Sequence, residues 1–378
     1  MPTISKFSSA SAGAASQVSV ATTAETSSSG VVAGAYAVAA CTNGSGDLEV
    51  IAWNVVIGQG PIPLTRVGSA TASKSTKNVA ITGLDSNRVV TAHVDSAGAL
   101  SVNVFVVGAI EYPGGGEQQP LVWFQNGTTG GSATAVSIDA LSSKEVVTAV
   151  RDKSGNLRVD AWSVSPGVSA GGTGAGLVNA DGSEVAGAVS DVAITGVTSS
   201  QAVTAFVNDS GNLQVIVWAI GGGKVTRPPG GSATGSAVKQ VSITTWAGLS
   251  LEGPVVVTAA INTKGNHELA YWNASSSGSI GAGNSATAGP ASQVAVCSIP
   301  HLGNPVTAIC GNSSELDVEV WGNLNGGEIA TFNSTSSPIS AVAVASEGYD
   351  SGGNGYFVTA ARDSKSGNLE VEVWSYKP

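Results

Sequence analysis

Short segments in which hydrophobic and polar residues alternate recur along the whole chain. The clearest is residues 147–162, Val-Thr-Ala-Val-Arg-Asp-Lys-Ser-Gly-Asn-Leu-Arg-Val-Asp-Ala-Trp. Its last six residues place Leu, Val and Ala on one side and Arg, Asp and Trp on the other, the period of two that is typical of a β-strand. The polar stretch 152–156 predicts a tight turn, because Asp bonds its own backbone and Gly adopts positive φ without steric cost. The segment therefore predicts a β-hairpin.

This pattern occurs seven times, and 49 to 57 residues separate the aromatic residues that end successive copies. The aromatic residues are Trp53, Phe105, Trp162, Trp218, Trp272, Trp321 and Trp374. A further hydrophobic segment precedes each hairpin, beginning at Val18, Val79, Val136, Val192, Val241, Val294 and Val342. A fourth, weaker segment lies 13 to 16 residues before that one, marked by Ile4, Leu64, Val122, Val178, Val225, Ile280 and Ile329. Each copy therefore predicts four short strands.

The order of these strands is circular. The marker Ile4 precedes the first copy, whereas the chain stops at Pro378, four residues after Trp374, where the last copy needs its fourth strand. Four-stranded repeats of this length are typical of β-propellers, and closing the ring removes exposed sheet edges. We predict an all-β fold, a seven-bladed β-propeller with four antiparallel strands per blade, forming a single domain over residues 1–378. The N-terminal strand completes the last blade and closes the ring, and no segment predicts a helix.

Charge and composition argue against several classes of partner. The 378 residues include 16 basic and 26 acidic side chains, a net charge of −10. This charge opposes binding to nucleic acid and to anionic membrane surfaces, since phosphate is bound mainly through Lys and Arg. No stretch reaches the ~18 consecutive apolar residues of a membrane helix, so we expect no membrane insertion. The N-terminus lacks the apolar segment of a secretory signal peptide, so we expect a cytoplasmic protein or one released by another route.

The sequence carries no pattern of metal or cofactor chemistry. His93, His267 and His301 occupy different places in the repeat, and no zinc, calcium, phosphate-loop or dinucleotide spacing is present. The carboxylates recur around the predicted ring, whereas an enzyme needs different catalytic groups that come together at one active site. We therefore predict no cofactor, no bound metal and no enzymatic activity, and the near-equivalence of the copies favours multivalent binding.

Two recurring zones hold candidate sugar-binding residues, and the first is the turn zone. It combines the hairpin turns with the loops that lead into the first strands, which a propeller places on one face. Hydroxyl, amide and charged side chains there suit the hydroxyl-rich surface of a sugar. Its candidates are Arg151, Asp152, Asn208, Arg362, Asp363, Ser132, Thr134, Ser232 and Thr234, the last four in Gly-Ser-Ala-Thr motifs. The alternative is that these residues only make turns.

The second zone surrounds the recurring aromatic residue, about 17 Å along the strand from the turn. Polar side chains stand beside the indole on its side of the strand, so the ring could cover the C–H face of a pyranose while carboxylates accept its hydroxyls. Its candidates are Trp53, Trp162, Trp218, Trp272, Trp321 and Trp374, with Glu49, Arg158 and Asp160. The alternative is a Trp wedged between adjacent blades and bonded through its N–H.

The motif Val-Thr-Ala-x-Arg-Asp-x-Ser-Gly-Asn-Leu-x-Val-x-x-Trp, best seen at 147–162 and 358–374, resembles the seven-bladed propeller lectins of Photorhabdus bacteria. The similarity covers the whole chain through its repeats. It implies binding of fucose and related, sometimes O-methylated, sugars at several sites between blades, of one more polar and one more hydrophobic kind, and assembly into homo-oligomers. Two copies depart from the pattern: the second has Phe105 for Trp and Ala99 for the turn Asn, and the sixth lacks the turn Gly at 312–315.

The leading hypothesis is therefore a multivalent lectin that binds glycans carrying fucose or related saccharides, including those on host cell surfaces. The alternatives are a protein-interaction scaffold that uses one propeller face and, less favoured, a glycosidase-like propeller enzyme. Free monosaccharide would compete with the partners of a lectin and would leave those of a scaffold unchanged.

Overall fold

The computed structural model describes residues 2–26, 32–56, 64–73, 75–109, 120–164, 177–246, 254–299, 302–322 and 329–378. All helical or strand structure within these ranges is β-strand. Alternating Val, Ile and Ala residues form the strands because their side chains pack well on a pleated, half-buried surface. Hydrogen bonding joins the strands into four-stranded antiparallel sets, and each set corresponds to one copy of the sequence pattern.

The first three sets cover the N-terminal half of the chain. Set 1 joins the second part of β1 (Thr3–Thr26) to β2 (Val32–Asn43), β3 (Leu48–Val55) and β4 (Thr65–Ser73). Set 2 consists of β5 (Thr76–Gly83), β6 (Arg88–Asp95), β7 (Ala99–Ala109) and β8 (Pro120–Ser132). Set 3 joins β9 (Ala135–Ser142), β10 (Glu145–Arg151) and β11 (Asn156–Val164) to the first part of β12 (Leu177–Thr198).

The other sets follow the same plan. Set 4 contains the second part of β12, β13 (Gln201–Asn208), β14 (Asn212–Gly221), β15 (Lys224–Thr226) and the first part of β16 (Ser232–Trp246), the last two sharing the outer position. Set 5 contains the rest of β16, β17 (Val255–Asn262), β18 (Asn266–Ala274) and the start of β19 (Ile280–Ile299). Set 6 contains the rest of β19, β20 (Asn304–Gly311), β21 (Glu315–Trp321) and the start of β22 (Ile329–Tyr349). Set 7 contains the rest of β22, β23 (Gly355–Asp363), β24 (Asn368–Lys377) and the first part of β1.

The two ends of the chain are hydrogen-bonded to each other through β1. Its first part pairs with β24, where Ile4 lies opposite Tyr376, and its second part pairs with β2, where Val20 lies opposite Ala39. Lys6 adds an ion pair to Glu372 with a distance of 2.9 Å between Nζ and Oε1. The N-terminal segment thus supplies the outer strand next to the last strand of the chain.

The first strands of all the sets surround one cavity of about 630 Å³. Its lining comes from residues 18–22, 79–85, 136–139, 192–195, 241–244, 294–297 and 342–346. Asp139 cross-links three neighbouring strands there, because its carboxylate accepts hydrogen bonds from Thr82 Oγ1 at 2.9 Å, Thr195 Oγ1 at 3.1 Å and the Gly196 N–H at 2.8 Å. Burial raises the pKa of Asp139, and these donors oppose that rise.

Candidate functional site

The hairpin turns bring the two parts of the turn zone together through one repeated hydrogen bond. In each set a turn carbonyl accepts the backbone N–H of the residue that leads into the next first strand. The pairs are Gly46–Thr76, Gly98–Ala133, Gly155–Val189, Gly211–Val238, Gly265–Ala291, Ser314–Ile339 and Gly367–Ala15, with N···O distances of 2.5 to 2.9 Å. This confirms that the turns and the lead-in loops lie on one face.

The predicted turn chemistry is also confirmed. The side-chain oxygen of Asp152 accepts the Asn156 N–H at 2.9 Å, and Asn208 accepts the N–H groups of Ser210 and Asn212 at 3.0 Å. Asp363 Oδ1 accepts the Ser366 N–H at 2.6 Å in the same way. These side chains therefore stabilise their own turns, which agrees with the alternative that the residues of the turn zone only make turns.

Arg151 and Arg362 occupy equivalent positions but have different surroundings. Arg362 donates from Nε to the Ala15 carbonyl at 2.6 Å and from Nη1 to Ser340 Oγ at 2.7 Å. The half-buried guanidinium of Arg151 has no hydrogen bond or ion pair to any described residue, and its Nε is buried. It lies over its own turn, since a Cβ added to Gly155 would stand 3.8 Å from Arg151 Nη2. Arg151 thus carries donors that no described residue uses, on the turn face at the junction of sets 3 and 4.

Thr134 and Ser132 lie next to this part of the turn zone. Thr134 donates both its N–H (2.7 Å) and its hydroxyl (3.1 Å) to the Arg151 carbonyl, so its side chain is held at the start of set 3. The Ser132 carbonyl accepts Arg158 Nη1 at 3.2 Å. The structure therefore brings the predicted residues Thr134, Arg151 and Asp152 together around one turn.

Ser232 and Thr234 do not lie in a lead-in loop, and that part of the prediction is wrong. They belong to β16 and pair with Ile216 and Gln214, on the outer edge of set 4. The residue that contacts the turn there is Val238, several positions later. Ser132 also lies in an outer strand, since it ends β8 and pairs with Ala99, and only Ala133 and Thr134 of the motif at 131–134 fall in a lead-in loop. The outer strands have different lengths, which the motif does not encode.

The Trp rings are buried between neighbouring sets. All six predicted Trp residues are at most 2% exposed. Trp162, for example, packs with Leu100 and Val102 of set 2, and the Trp162 ring comes so close that a Cβ on Gly130 would lie 3.0 Å from it. An indole without an open face offers no platform for a sugar, so the geometry favours the packing alternative for these residues.

Each of five indole N–H groups donates to a Thr hydroxyl on the adjacent second strand, a partner that the sequence did not reveal. The pairs are Trp162–Thr148, Trp218–Thr204, Trp272–Thr258, Trp321–Thr307 and Trp374–Thr359, at 2.9 to 3.0 Å. The recurring Thr of Val-Thr-Ala is the feature that could have predicted these bonds. In set 2 Phe105 replaces Trp, and the buried Thr91 hydroxyl has no partner among the described residues.

The charged residues beside the indoles are paired with each other. Arg158 Nε lies 2.9 Å from Asp160 Oδ2, and burial raises the pKa of Asp160 while the Arg158 charge lowers it. Glu49 lies 3.6 Å from Arg66, which also donates to Ser69 Oγ. Arg158 and Asp160 lie on the same strand, β11, whereas the Glu49–Arg66 pair links β3 to β4.

Comparison with solved structures identifies the fold. The fucose-specific lectin from Aleuria aurantia has a TM-score of 0.51 at 11% identity, over 85% of this chain and 95% of that one. A variant of the same lectin in complex with alpha-methyl-L-fucoside has a TM-score of 0.50 at 12% identity, over 84% and 94%. The chain has the β-propeller fold. Another structure of that lectin is described as a six-bladed β-propeller with a novel fucose recognition mode, at 12% identity and a TM-score of 0.50 over 84% of this chain and 95% of that one. The sequence matches no protein-family model and no curated protein.

One buried pair in the propeller was not foreseen from the sequence. His267 replaces the Leu that follows the turn in the repeat, and its Nε2 lies 2.7 Å from Glu319 Oε2 of the next set. Nδ1 of the same ring lies 2.7 Å from the Gly289 carbonyl, and Trp321 packs edge-on at 5.9 Å. Within the part of the chain that the structure describes, no group of His, Cys, Asp or Glu is arranged to hold a metal ion. The described residues also include no helix long and apolar enough to cross a membrane.

Proposed function

We propose that this protein is a multivalent, non-enzymatic lectin that binds fucose or related saccharides, including O-methylated ones. The observation that carries the proposal is the guanidinium of Arg151, which has no partner among the described residues, on the turn face of a β-propeller. Guanidinium N–H groups are donors only, so they suit the hydroxyl and ring oxygens of a sugar. The second carboxylate oxygen of Asp152, which the turn does not use, is an acceptor for a sugar hydroxyl beside them.

The fold comparison supports this choice of ligand. One of the similar propeller structures is named as a fucose-specific lectin, and another is a lectin in complex with alpha-methyl-L-fucoside. Repetition of the turn contact around the molecule supports several similar sites, each weak, whose combined effect raises avidity by ~10²–10⁴-fold. We further propose the Photorhabdus type of lectin, with oligomers, on the strength of the repeated motif.

We also propose that residues 1–378 form one closed ring of seven blades. The strand pairing in seven sets supports this number, as does the single cavity that all the first strands line. Pairing of β1 with β24 supports closure, because it leaves no unpaired strand at either chain end. An electron-microscopy or crystal structure that showed six blades and a displaced N-terminal segment would contradict this proposal.

The test combines a glycan array with titration of methyl α-L-fucoside. We expect the array to select fucosylated or O-methylated glycans, and Arg151→Ala to remove one class of binding sites. Loss of charge-assisted hydrogen bonds worth about 1.5–3 kcal/mol weakens such a site by roughly 10–100-fold. Arg227→Ala, at an exposed arginine that follows β15, is the matched control and should leave fucoside binding unchanged.

The possible outcomes separate the parts of the proposal. Absence of fucosylated and methylated glycans among the array ligands would reject the fucose assignment. Full fucoside binding by a folded Arg151→Ala variant would reject the site at Arg151, but it would agree with a lectin whose sites lie at other residues. Turnover of aryl glycosides that one carboxylate substitution abolishes would overturn the non-enzymatic assignment.

A further inference from the structure

A second cavity, of about 660 Å³, lies between sets 4 and 5 at the ends of the strands opposite the turn zone. Gln201, which lines it, begins β13, whereas the turn at Asn208 follows the other end of that strand. The volume lies within the range of small-molecule sites in proteins. This cavity is therefore separate from the Arg151 site.

Two structured loops build the walls of this cavity. The β14–β15 hairpin turns through Gly222 and Gly223, whose φ values of 59° and 73° need glycine. The loop of set 5 is held by Ser275 Oγ, which lies 2.8 Å from Ser277 Oγ and 2.7 Å from Ser279 Oγ. Since internal hydrogen bonds fix both walls, the cavity exists before any ligand binds, and little ordering cost opposes binding.

Gln201 supplies a polar group at the base of the cavity. The residue is 7% exposed, and its Nε2 donates to the Ser275 carbonyl at 3.1 Å. This bond fixes the orientation of the amide, so Oε1 points away from the carbonyl. Oε1 has no hydrogen-bond partner among the described residues. A buried acceptor without a donor is costly, and because water does not reach Oε1 in the folded protein, the side chain must shift toward the cavity before a ligand hydroxyl can supply that donor.

The lining also carries an unneutralised positive charge. Lys224 is exposed at the rim and forms no ion pair with any described residue. No Asp or Glu is among the described residues that line the cavity, although the protein as a whole carries a net charge of −10. Lys224 is therefore free to pair with an anionic group of a ligand. Pro228 adds an apolar surface, whereas Ile220 is only 4% exposed.

We propose that this cavity binds an acidic sugar of the uronic-acid class. The carboxylate pairs with Lys224, a ring hydroxyl donates to Gln201 Oε1 once that side chain shifts toward the cavity, and the C–H face of the pyranose packs on Pro228. Hydroxyls of Thr226 and Ser277 complete a lining of uncharged donors and acceptors. The site differs from the proposed fucose site in position and in charge, and it does not depend on that site.

The experiment is a titration of the full-length protein with methyl α-D-glucuronide and with neutral methyl α-D-glucoside, followed by heteronuclear NMR. We expect the glucuronide to bind about 5–10-fold more tightly than the glucoside, because only the glucuronide makes the charge-assisted contact. Lys224→Met should remove this preference, whereas Lys153→Met, an exposed lysine in the turn zone, should retain it. Gln201→Leu should weaken the binding of both glycosides. Thermal unfolding verifies that each variant is folded.

Several results would overturn the proposal. Equal binding of the two glycosides, no binding of either at millimolar concentration, or glucuronide shifts around Arg151 would each reject it. Competition by inorganic phosphate as strong as by the glucuronide would show a simple anion site and reject the sugar assignment. Because Lys224→Met leaves Arg151 intact, fucoside binding by this variant reports on the proposed lectin site independently.

Discussion

Glu347 offers the sharpest test of the energetics of this fold. It lies on β22 between Ser346 and Gly348, where the pairing with β23 shifts register. The side chain is 1% exposed, and neither carboxyl oxygen has a hydrogen-bond partner among the described residues. Burial of the group away from water raises its pKa from 4.5 to about 8. The carboxyl is therefore held protonated in the folded protein near neutral pH.

This shift makes the free energy of unfolding depend on pH. Below pH 4.5 both the folded and the unfolded states bind the proton, so the group does not favour either. Between pH 4.5 and about 8 the unfolded state releases the proton while the folded state keeps it, so stability falls as pH rises. At about 1.4 kcal/mol per pH unit, the loss reaches at most about 5 kcal/mol at pH 8 and above.

Glu347→Gln removes the titration and keeps the shape of the side chain. We expect the variant and the natural protein to have similar unfolding free energies near pH 4.5, and the variant to be more stable by up to about 5 kcal/mol at pH 8.5. Urea unfolding at a series of pH values measures this difference, in which other titrating groups cancel. Asp209→Asn, at an exposed turn position, is the control and should show a constant difference. A constant difference for Glu347→Gln as well would refute the reasoning.

Three further changes test the packing of the sets. Thr148→Val removes the acceptor of a buried indole N–H and should lower the free energy of unfolding in urea by about 1–3 kcal/mol. Thr91→Val removes a hydroxyl that has no partner among the described residues, so it should leave stability unchanged or raise it. A larger loss of stability for Thr91→Val than for Thr148→Val would contradict the assigned bonds. Ser314→Gly should stabilise by about 1 kcal/mol, because Ser314 has a φ of 62°, and a loss of stability would count against strain at that turn. Deletion of residues 2–11 removes the partner of β24 and should lower the thermal midpoint and expose β24 to proteolysis, and an unchanged midpoint would argue against a structural role for that segment.

Much of the local structure could be predicted from the sequence. Alternation with period two predicted the strands, and Asp or Asn followed by Gly predicted the turns, because both depend on the conformations of a few neighbouring residues. The positive φ of Gly155, 84°, is an example. The position of Ile4 relative to Trp374 predicted that the N-terminus pairs with the last strand, and the β1–β24 register agrees with it.

The candidate sites were harder to predict because they depend on contacts between different sets. The Gly-Ser-Ala-Thr motifs at 131–134 and 231–234 are identical, yet one ends at a lead-in loop and the other lies in an outer strand. The length of each outer strand decides this, and that length follows from pairing and not from the motif. The sequence allows the Trp residues to be sugar platforms or packing residues, and their burial between sets supports packing.

Arg151 and Arg362 show most plainly which features follow from the local sequence and which follow from tertiary contacts. Both stand in the sequence Arg-Asp-x-Ser-Gly or its close variant, and this local pattern is enough to predict that each precedes a polar turn. Tertiary contacts determine that Arg362 donates to Ala15 and Ser340, while the guanidinium of Arg151 has no partner among the residues that the structure describes. The physical reason is that a turn is made by local hydrogen bonds, whereas the partners of a long side chain come from a neighbouring set that is distant in sequence.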